Sequence, residues 1–193
     1  MKLKKTLLPI LTLLILCGFA QARRARADSL SVTTPSTVSL GQTFAVTVDI
    51  TSATDLYAYQ FDLGYDASML SLSTISEGNF LSAAGATFFI PGSIDNTAGL
   101  ASATADSLLT AISGATGSGL LVTFDFTAIG AGNSALTLSN LFLLDSNLAA
   151  INGTTQNGSV TVGKVGVPEP SVLVLLLIAM GCLALMLRRT VNA

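Results

Sequence analysis

Asp62 and Asp66 are the acids whose spacing most resembles the two carboxylates a glycoside hydrolase sets across a bond. Asp66, however, opens Asp66-Ala67-Ser68, a turn signal in which the carboxylate caps its own backbone. Tyr57, Tyr59 and Tyr65 could form a strip for stacking on sugar rings. They alternate in phase with Phe61 and Leu63, which is the pattern of a strand's core face, so core packing is the stronger reading. Asp145-Ser146-Asn147 begins like a calcium-binding loop, but the Gly and terminal Glu of such a loop are missing, and a turn is expected. Asn152-Gly153-Thr154 and Asn157-Gly158-Ser159 fit the glycosylation acceptor pattern, a weak signal by itself. The chain has no His and no Trp, which removes the commonest general base and metal ligand and the strongest sugar-stacking side chain. No catalytic residue, no metal site and no cofactor is expected, and the chain reads as non-enzymatic.

Charge and cysteine divide the chain into three parts. Of the nine basic residues, Lys2, Lys4, Lys5, Arg23, Arg24 and Arg26 lie near the N-terminus and Arg188 and Arg189 near the C-terminus. Between residues 28 and 166, Lys164 alone stands against ten acids, a net charge of −9. Such a segment has no electrostatic footprint for nucleic acid and is repelled by anionic lipid. Both cysteines, Cys17 and Cys182, fall outside it, so the middle segment has no disulfide and must be stabilised by packing.

Residues 1–27 read as a secretory signal: a basic start, an apolar stretch from Leu7 to Ala20, and two small-x-small cleavage patterns, Ala20-Gln21-Ala22 and Ala25-Arg26-Ala27. Cutting after Ala27 is the favoured reading. At the other end, residues 171–187 are uncharged and contain one Gly. As a helix they reach about 26 Å, just enough for a hydrocarbon core of about 30 Å. Arg188 and Arg189 favour the cytoplasmic side, leaving everything before Pro168 outside. Val167-Pro168-Glu169-Pro170, the apolar helix and Arg188-Arg189, in that order at the C-terminus, resemble the PEP-CTERM protein-sorting domain. That resemblance implies a Gram-negative host that makes exopolysaccharide and processing by an exosortase near the Pro-Glu-Pro element. It also implies delivery to the cell surface or extracellular matrix after a passage through the inner membrane.

The middle segment, residues 28–163, is long enough for one domain with a real core. Its hydrophobic period is two almost throughout. Phe44, Val46, Val48 and Ile50 alternate with polar or small residues. So do Tyr57 to Tyr65, with Gln60 and Asp62 on the opposite side, and Leu120 to Ala128. Leu30–Val32, Met69–Leu72, Ala86–Ile90, Leu100–Ala105 and Val160–Val162 read as shorter strands, and Asp106–Ser113 as a strand edge or a helical turn. Leu136 and Leu138 hand over to Leu141 and Leu143, a phase slip at Ser139-Asn140 that predicts a bulge or a bend between sheets. Gly, Asp, Asn and Ser turns separate about nine strands, and no long helical pattern appears. The expected fold is an all-β, antiparallel sandwich.

The run Tyr59-Gln60-Phe61-Asp62-Leu63-Gly64-Tyr65-Asp66-Ala67-Ser68-Met69-Leu70 is similar to the early strand pair of cohesin domains. Glu77-Gly78-Asn79-Phe80-Leu81, Gly117-Ser118-Gly119-Leu120-Leu121-Val122-Thr123-Phe124, Ser134-Ala135-Leu136-Thr137-Leu138 and Asn157-Gly158-Ser159-Val160-Thr161-Val162 follow in that family's order. The resemblance spans Leu30 to Val162. It implies a nine-stranded jelly roll that binds a dockerin module on another protein, in a superfamily shared with carbohydrate-binding modules. No short motif places partner-binding residues. The alternative role is a carbohydrate-binding or structural module of the exopolysaccharide matrix, favoured if exposed aromatics line a sheet face, which the sequence argues against.

Overall fold

Alternation along the chain becomes two stacked sheets because each strand can bury only one side. The computed structural model describes residues 28–110, 112–164, 176 and 178–180. Ten strands run in the order β1 (Asp28–Thr33), β2 (Thr37–Ser39), β3 (Thr43–Gly64), β4 (Leu70–Glu77), β5 (Ser93–Asp95), β6 (Leu100–Ser107), β7 (Ala115–Ala128), β8 (Gly132–Asp145), β9 (Gly153–Gln156) and β10 (Gly158–Gly163). One four-residue helix, α1 (Asn79–Ser82), follows β4.

The 22-residue strand β3 belongs to both sheets. Its first half pairs with β1 and β7, giving the order β9-β1-β3-β7-β4. Its second half pairs with β6 and β8, giving β2-β10-β8-β3-β6-β5. The turn between halves lies at Ser52 and Asp55, both at φ 62°. That backbone is costly for a residue with a Cβ, and here Asp55 is held from three sides. Gly114 donates its N–H to Asp55 Oδ1 (2.6 Å), and Ser146 donates its hydroxyl (2.7 Å) and N–H (3.3 Å) to Oδ2. Gly114 must be glycine, since a Cβ there would sit 2.5 Å from the Asp55 carbonyl. The two expected strands at 44–50 and 56–65 are therefore one strand with a hinge.

Aromatic rings join the sheets across the core. Tyr59 stacks on Phe61 (5.8 Å between ring centres), Phe61 leans on Phe124 (6.3 Å), and Tyr65 meets Phe126 edge-on (5.0 Å). Phe61, Phe124 and Phe126 are fully buried. The Tyr59 hydroxyl donates to the Leu121 carbonyl (2.9 Å) and the Tyr65 hydroxyl to Asn96 Oδ1 (2.7 Å), so both bury their rings without orphaning a polar atom.

The phase slip at Ser139-Asn140 is a real bend. Asn140 has φ 50°, the β3–β8 register shifts there, and β8 passes from pairing β10 (Gly132–Leu136) to pairing β3 (Thr137–Asp145). Three strands were not anticipated: β2, β5 and β9, each of three or four residues. Two of them, β2 and β9, pair in parallel, so the sandwich is not purely antiparallel. Ala86–Ile90, expected as a strand, makes only isolated bridges to β6, at Thr87–Leu108 and Ile90–Ala105. Asp106–Ser113 divides, Asp106 and Ser107 ending β6.

Of the expected membrane helix 171–187, Leu176, Ile178, Ala179 and Met180 are described, and all four are helical and exposed. Among the described residues no helix is long and apolar enough to cross a membrane. The signal 1–27 and the sorting residues Val167, Pro168, Glu169, Pro170, Arg188 and Arg189 lie outside the described residues.

Candidate recognition face

Acids and tyrosines singled out in the sequence take up structural posts. Asp66 Oδ1 accepts from the Ser68 N–H (2.8 Å) and hydroxyl (2.6 Å), and these bonds hold its carboxyl below the usual range. Asp62 points away from the core, as expected, yet is buried: Ala103 donates its N–H to Oδ1 (2.7 Å) and Asn140 its side-chain amide to Oδ2. Ala103 and Asn140 both have left-handed backbones, so Asp62 pins the bulges of the two strands flanking β3. Asp145 Oδ1 accepts from the Asn147 and Ala149 N–H groups (2.8 Å each), closing a turn. Asp95 does the same for Thr97 and Ala98 (2.8 and 2.9 Å), which lowers its pKa. Neither Asp62 nor Asp66 is free to act as half of a hydrolytic pair. Among the described residues no group of three or more His, Cys, Asp or Glu is placed to hold a metal ion.

The outer sides of the two sheets differ sharply. On the five-stranded sheet the outward positions are Ser29, Ser31 and Thr33 on β1, Thr47, Asp49 and Thr51 on β3, and Thr123, Asp125 and Thr127 on β7. Its carboxylates are capped locally: Thr47 donates to Asp49 (2.9 Å) and Thr74 to Asp125 (3.2 Å). This side is a carpet of hydroxyls in those three strands, with one large apolar side chain, the half-buried Leu120, paired opposite Asp49.

On the six-stranded sheet, pairing sets Phe142 of β8 opposite Gln60 of β3, Gln60 opposite Ala105 of β6, and Ala105 opposite Ile90. Phe88 lies two residues before Ile90 and donates its N–H to the Ser107 carbonyl (2.8 Å). Phe88, Ile90 and Phe142 are 59%, 44% and 53% exposed. With Ala58, Ala105 and Ser107 they line a notch of about 180 Å³. Gln60 joins these small residues in its floor, between Phe142 and Ala105, and the large apolar residues make its walls, a concavity the size of one side chain. A larger, polar cleft of about 690 Å³ opens nearby at one end of the sheet, between Asp66, Ser68, Thr97, Asn133 and Thr137.

Sequence reasoning did not find this notch. Its one signal was the phase slip, which turns Leu143 inward and so must turn Phe142 outward. The expectation that no aromatic lines a sheet face is corrected: Tyr59 and Tyr65 are in the core and Tyr57 packs half-buried against it, but Phe88 and Phe142 are outside it.

Two packed sheets sharing the long strand β3 make this chain a β-sandwich domain. The cohesin domain family model matches residues 29–162, more than half of the chain, and the chain belongs to that family of non-catalytic binding modules. It is similar in structure to a non-cellulosomal cohesin from the archaeon Archaeoglobus fulgidus, with 16% identity and a TM-score of 0.57, over 72% of this chain and 92% of that one. It is similar to the sixth cohesin of scaffoldin B from Acetivibrio cellulolyticus, solved with a Cel5 dockerin, with 18% identity and a TM-score of 0.58, over 72% of this chain and 100% of that one. A cohesin module of a family 33 glycoside hydrolase from Clostridium perfringens is likewise similar, with 13% identity and a TM-score of 0.60, over 72% and 98%. A search of curated proteins returned no match.

Proposed function

We propose that this chain is an exported surface protein whose cohesin domain holds a dockerin-bearing protein on the outer side of its six-stranded sheet, making and breaking no bond. The observation that carries the reading is the notch between Phe88, Ile90 and Phe142, an unpartnered apolar site on a rigid sheet. Covering one such side chain is worth about 1.5–3 kcal/mol, so three at the centre of an interface are enough to dominate it. Family membership supports the class of partner, as does the dockerin seen on the Acetivibrio cellulolyticus cohesin.

In this reading residues 1–27 direct export and 164–193 are the sorting signal, with the membrane helix as a temporary hold. An exosortase cuts near Val167-Pro168-Glu169-Pro170, and the domain reaches the cell surface or extracellular matrix of a Gram-negative bacterium. The basic start, the Pro-Glu-Pro element and the terminal arginine pair support this route. An intact mass of the surface-exposed protein that still contains residues 188–193 counts against it.

The second reading, an exopolysaccharide-binding or matrix module, draws on two observations. Phe88 and Phe142 are aromatics on a sheet face, and the polar cleft beside Asp66 and Asn133 offers hydrogen-bonding groups to a neutral sugar. The deciding experiment immobilises residues 28–163 and exposes them to secreted proteins and to purified exopolysaccharide, with and without a calcium chelator. Capture of a dockerin-bearing protein that chelator releases supports the first reading, the calcium belonging to the dockerin. Retention of polysaccharide with no protein overturns it in favour of the second.

A further inference from the structure

One acid breaks the alternation on which the sandwich is built. Asp28 opens β1 in phase with the fully buried Leu30, so its carboxylate lies on the core side of the strand and is 3% exposed. Its Oδ2 is buried with no hydrogen-bond partner among the described residues. A buried carboxylate without a donor or counter-charge is costly, and burial holds this carboxyl above its usual range.

Among the described residues, the elements around Asp28 supply no cation. β1 pairs with β3 through Ser29 and Thr51 and with β9 through Asp28 and Gly153, which puts Asp28 beside the β3 hinge. The charged groups brought to that end are acids: Asp55 in the hinge and Asp145, paired opposite Leu56. Both have hydrogen bonds of their own, Asp55 from Gly114 and Ser146, Asp145 from Asn147 and Ala149. Lys164, the one basic residue between 28 and 166, follows Gly163, whose carbonyl accepts from the Leu40 N–H (3.1 Å) just before β3 begins. The Thr43–Thr51 stretch of β3, about 26 Å long, separates that end from Asp28.

Processing creates a cation at the required place. Hydrolysis of the Ala27–Asp28 amide gives the water oxygen to the Ala27 carboxylate and both hydrogens to the Asp28 nitrogen, which becomes an α-ammonium. Before the cut this nitrogen offers one neutral N–H; afterwards it carries a full charge and three donors. It shares Cα with the side chain, so it is held within reach of the carboxylate of its own residue. We propose that the α-ammonium made by signal cleavage is a structural part of the domain: it supplies the counter-charge and donor for Asp28 Oδ2, so the processed chain is the more stable one. A buried charge that gains a partner loses most of its penalty, whereas one that lacks it bears that penalty in full. The inference rests on the export reading for the position of the cut, and not on the recognition reading.

The test compares residues 28–193 with residues 27–193 in the same detergent. The longer chain moves the ammonium one residue along, about 3.8 Å. The chain that begins at Asp28 should melt about 3 °C or more above the one that begins at Ala27. In Asp28→Asn, which keeps the size and removes the charge, that difference should vanish. A second readout is the amine itself. At pH 7 the α-amine of residues 28–193 should acylate about tenfold more slowly than in Asp28→Asn, followed by mass spectrometry of the N-terminal peptide, because the carboxylate keeps it protonated. Equal melting of the two chains overturns the inference, and so do equal acylation rates. N-terminal sequencing of the exported protein checks the premise. Asp28 as its first residue supports the role, while Arg23 overturns it and leaves the recognition reading untouched.

Discussion

The two outer sides of the sandwich share one strand and almost nothing else. β3 sends Thr47, Asp49 and Thr51 to one side and, past its hinge, Ala58 and Gln60 to the other. On the first side short hydroxyl side chains line the strands, Ser29 Oγ being buried without a partner among the described residues, and the Asp49 and Asp125 carboxylates each accept from a neighbouring threonine. On the second, three large apolar side chains surround a notch whose floor holds Ala58, Gln60, Ala105 and Ser107. The lesson is that a strand's polar alternation does not by itself mark an inert surface. What differs is the neighbour each half of β3 acquires, β1 and β7 in one case, β6 and β8 in the other.

The strongest test of that contrast removes the notch. Phe88→Ser with Phe142→Ser should weaken partner capture at least a hundredfold, about 3 kcal/mol, as the loss of interface-centre anchors does. Thermal unfolding should hardly move, because both rings are exposed. Capture that survives the double change places binding elsewhere.

Next comes Asp62→Ala. It strips both bulges beside β3 of their acceptor and should cost about 2–3 kcal/mol in urea denaturation. Asp125→Ala, on the hydroxyl side, should stay within about 0.5 kcal/mol. Similar costs for the two would mean that the recognition side needs no special bracing.

A smaller effect is expected from pH. Asp55, Asp66 and Asp95 have carboxyl groups held low by hydrogen bonds, so their contribution is present above the unfolded value of 3.8 and lost as pH falls through the folded values. Asp106 has the opposite sign: its contribution is complete below 3.8 and lost as pH rises toward about 7. Melting temperature against pH should therefore peak in mild acid. In Asp106→Asn the descent between pH 5 and 7 should flatten, leaving the smaller part due to Asp28, which burial also raises. A curve that still falls as steeply would assign the slope to other groups.

The smallest effect belongs to Thr47→Ala with Thr123→Ala. Capture measured by calorimetry should change less than about threefold, within the roughly 0.5 kcal/mol typical of surface positions. A larger loss would make the hydroxyl side part of the recognition surface.

Much of the architecture was legible because period two is a strong signal where one side of a strand is dry. Phe44–Ile50, Tyr59–Tyr65 and Val122–Ala128 bury the side their pattern marks, while a register shift beside Val122 turns Leu121 inward in place of the expected Leu120. The slip at Ser139-Asn140 was legible for the same reason: a bulge must change the phase. β2, β5 and β9 were not, since three or four residues hold too few alternations to rise above turn sequence. Ala86–Ile90 failed as a strand because its pattern says nothing about whether a ladder continues past two bridges. Residues 88 and 142 become neighbours only through β6 and β3, which no local pattern encodes.

The position of β10 carries a mechanical consequence. It lies between β2, which runs parallel to it, and β8, which runs antiparallel, with Val162 paired on both sides. The chain leaves the domain from this strand, while the notch is reached through β8 and β3. A pull on the C-terminal end along the strand axis, resisted by a partner in the notch, loads the β10 ladders in shear rather than peeling them open. Rungs loaded side by side must fail together, so this end of the sandwich resists such a pull more firmly than ladders peeled open one rung at a time.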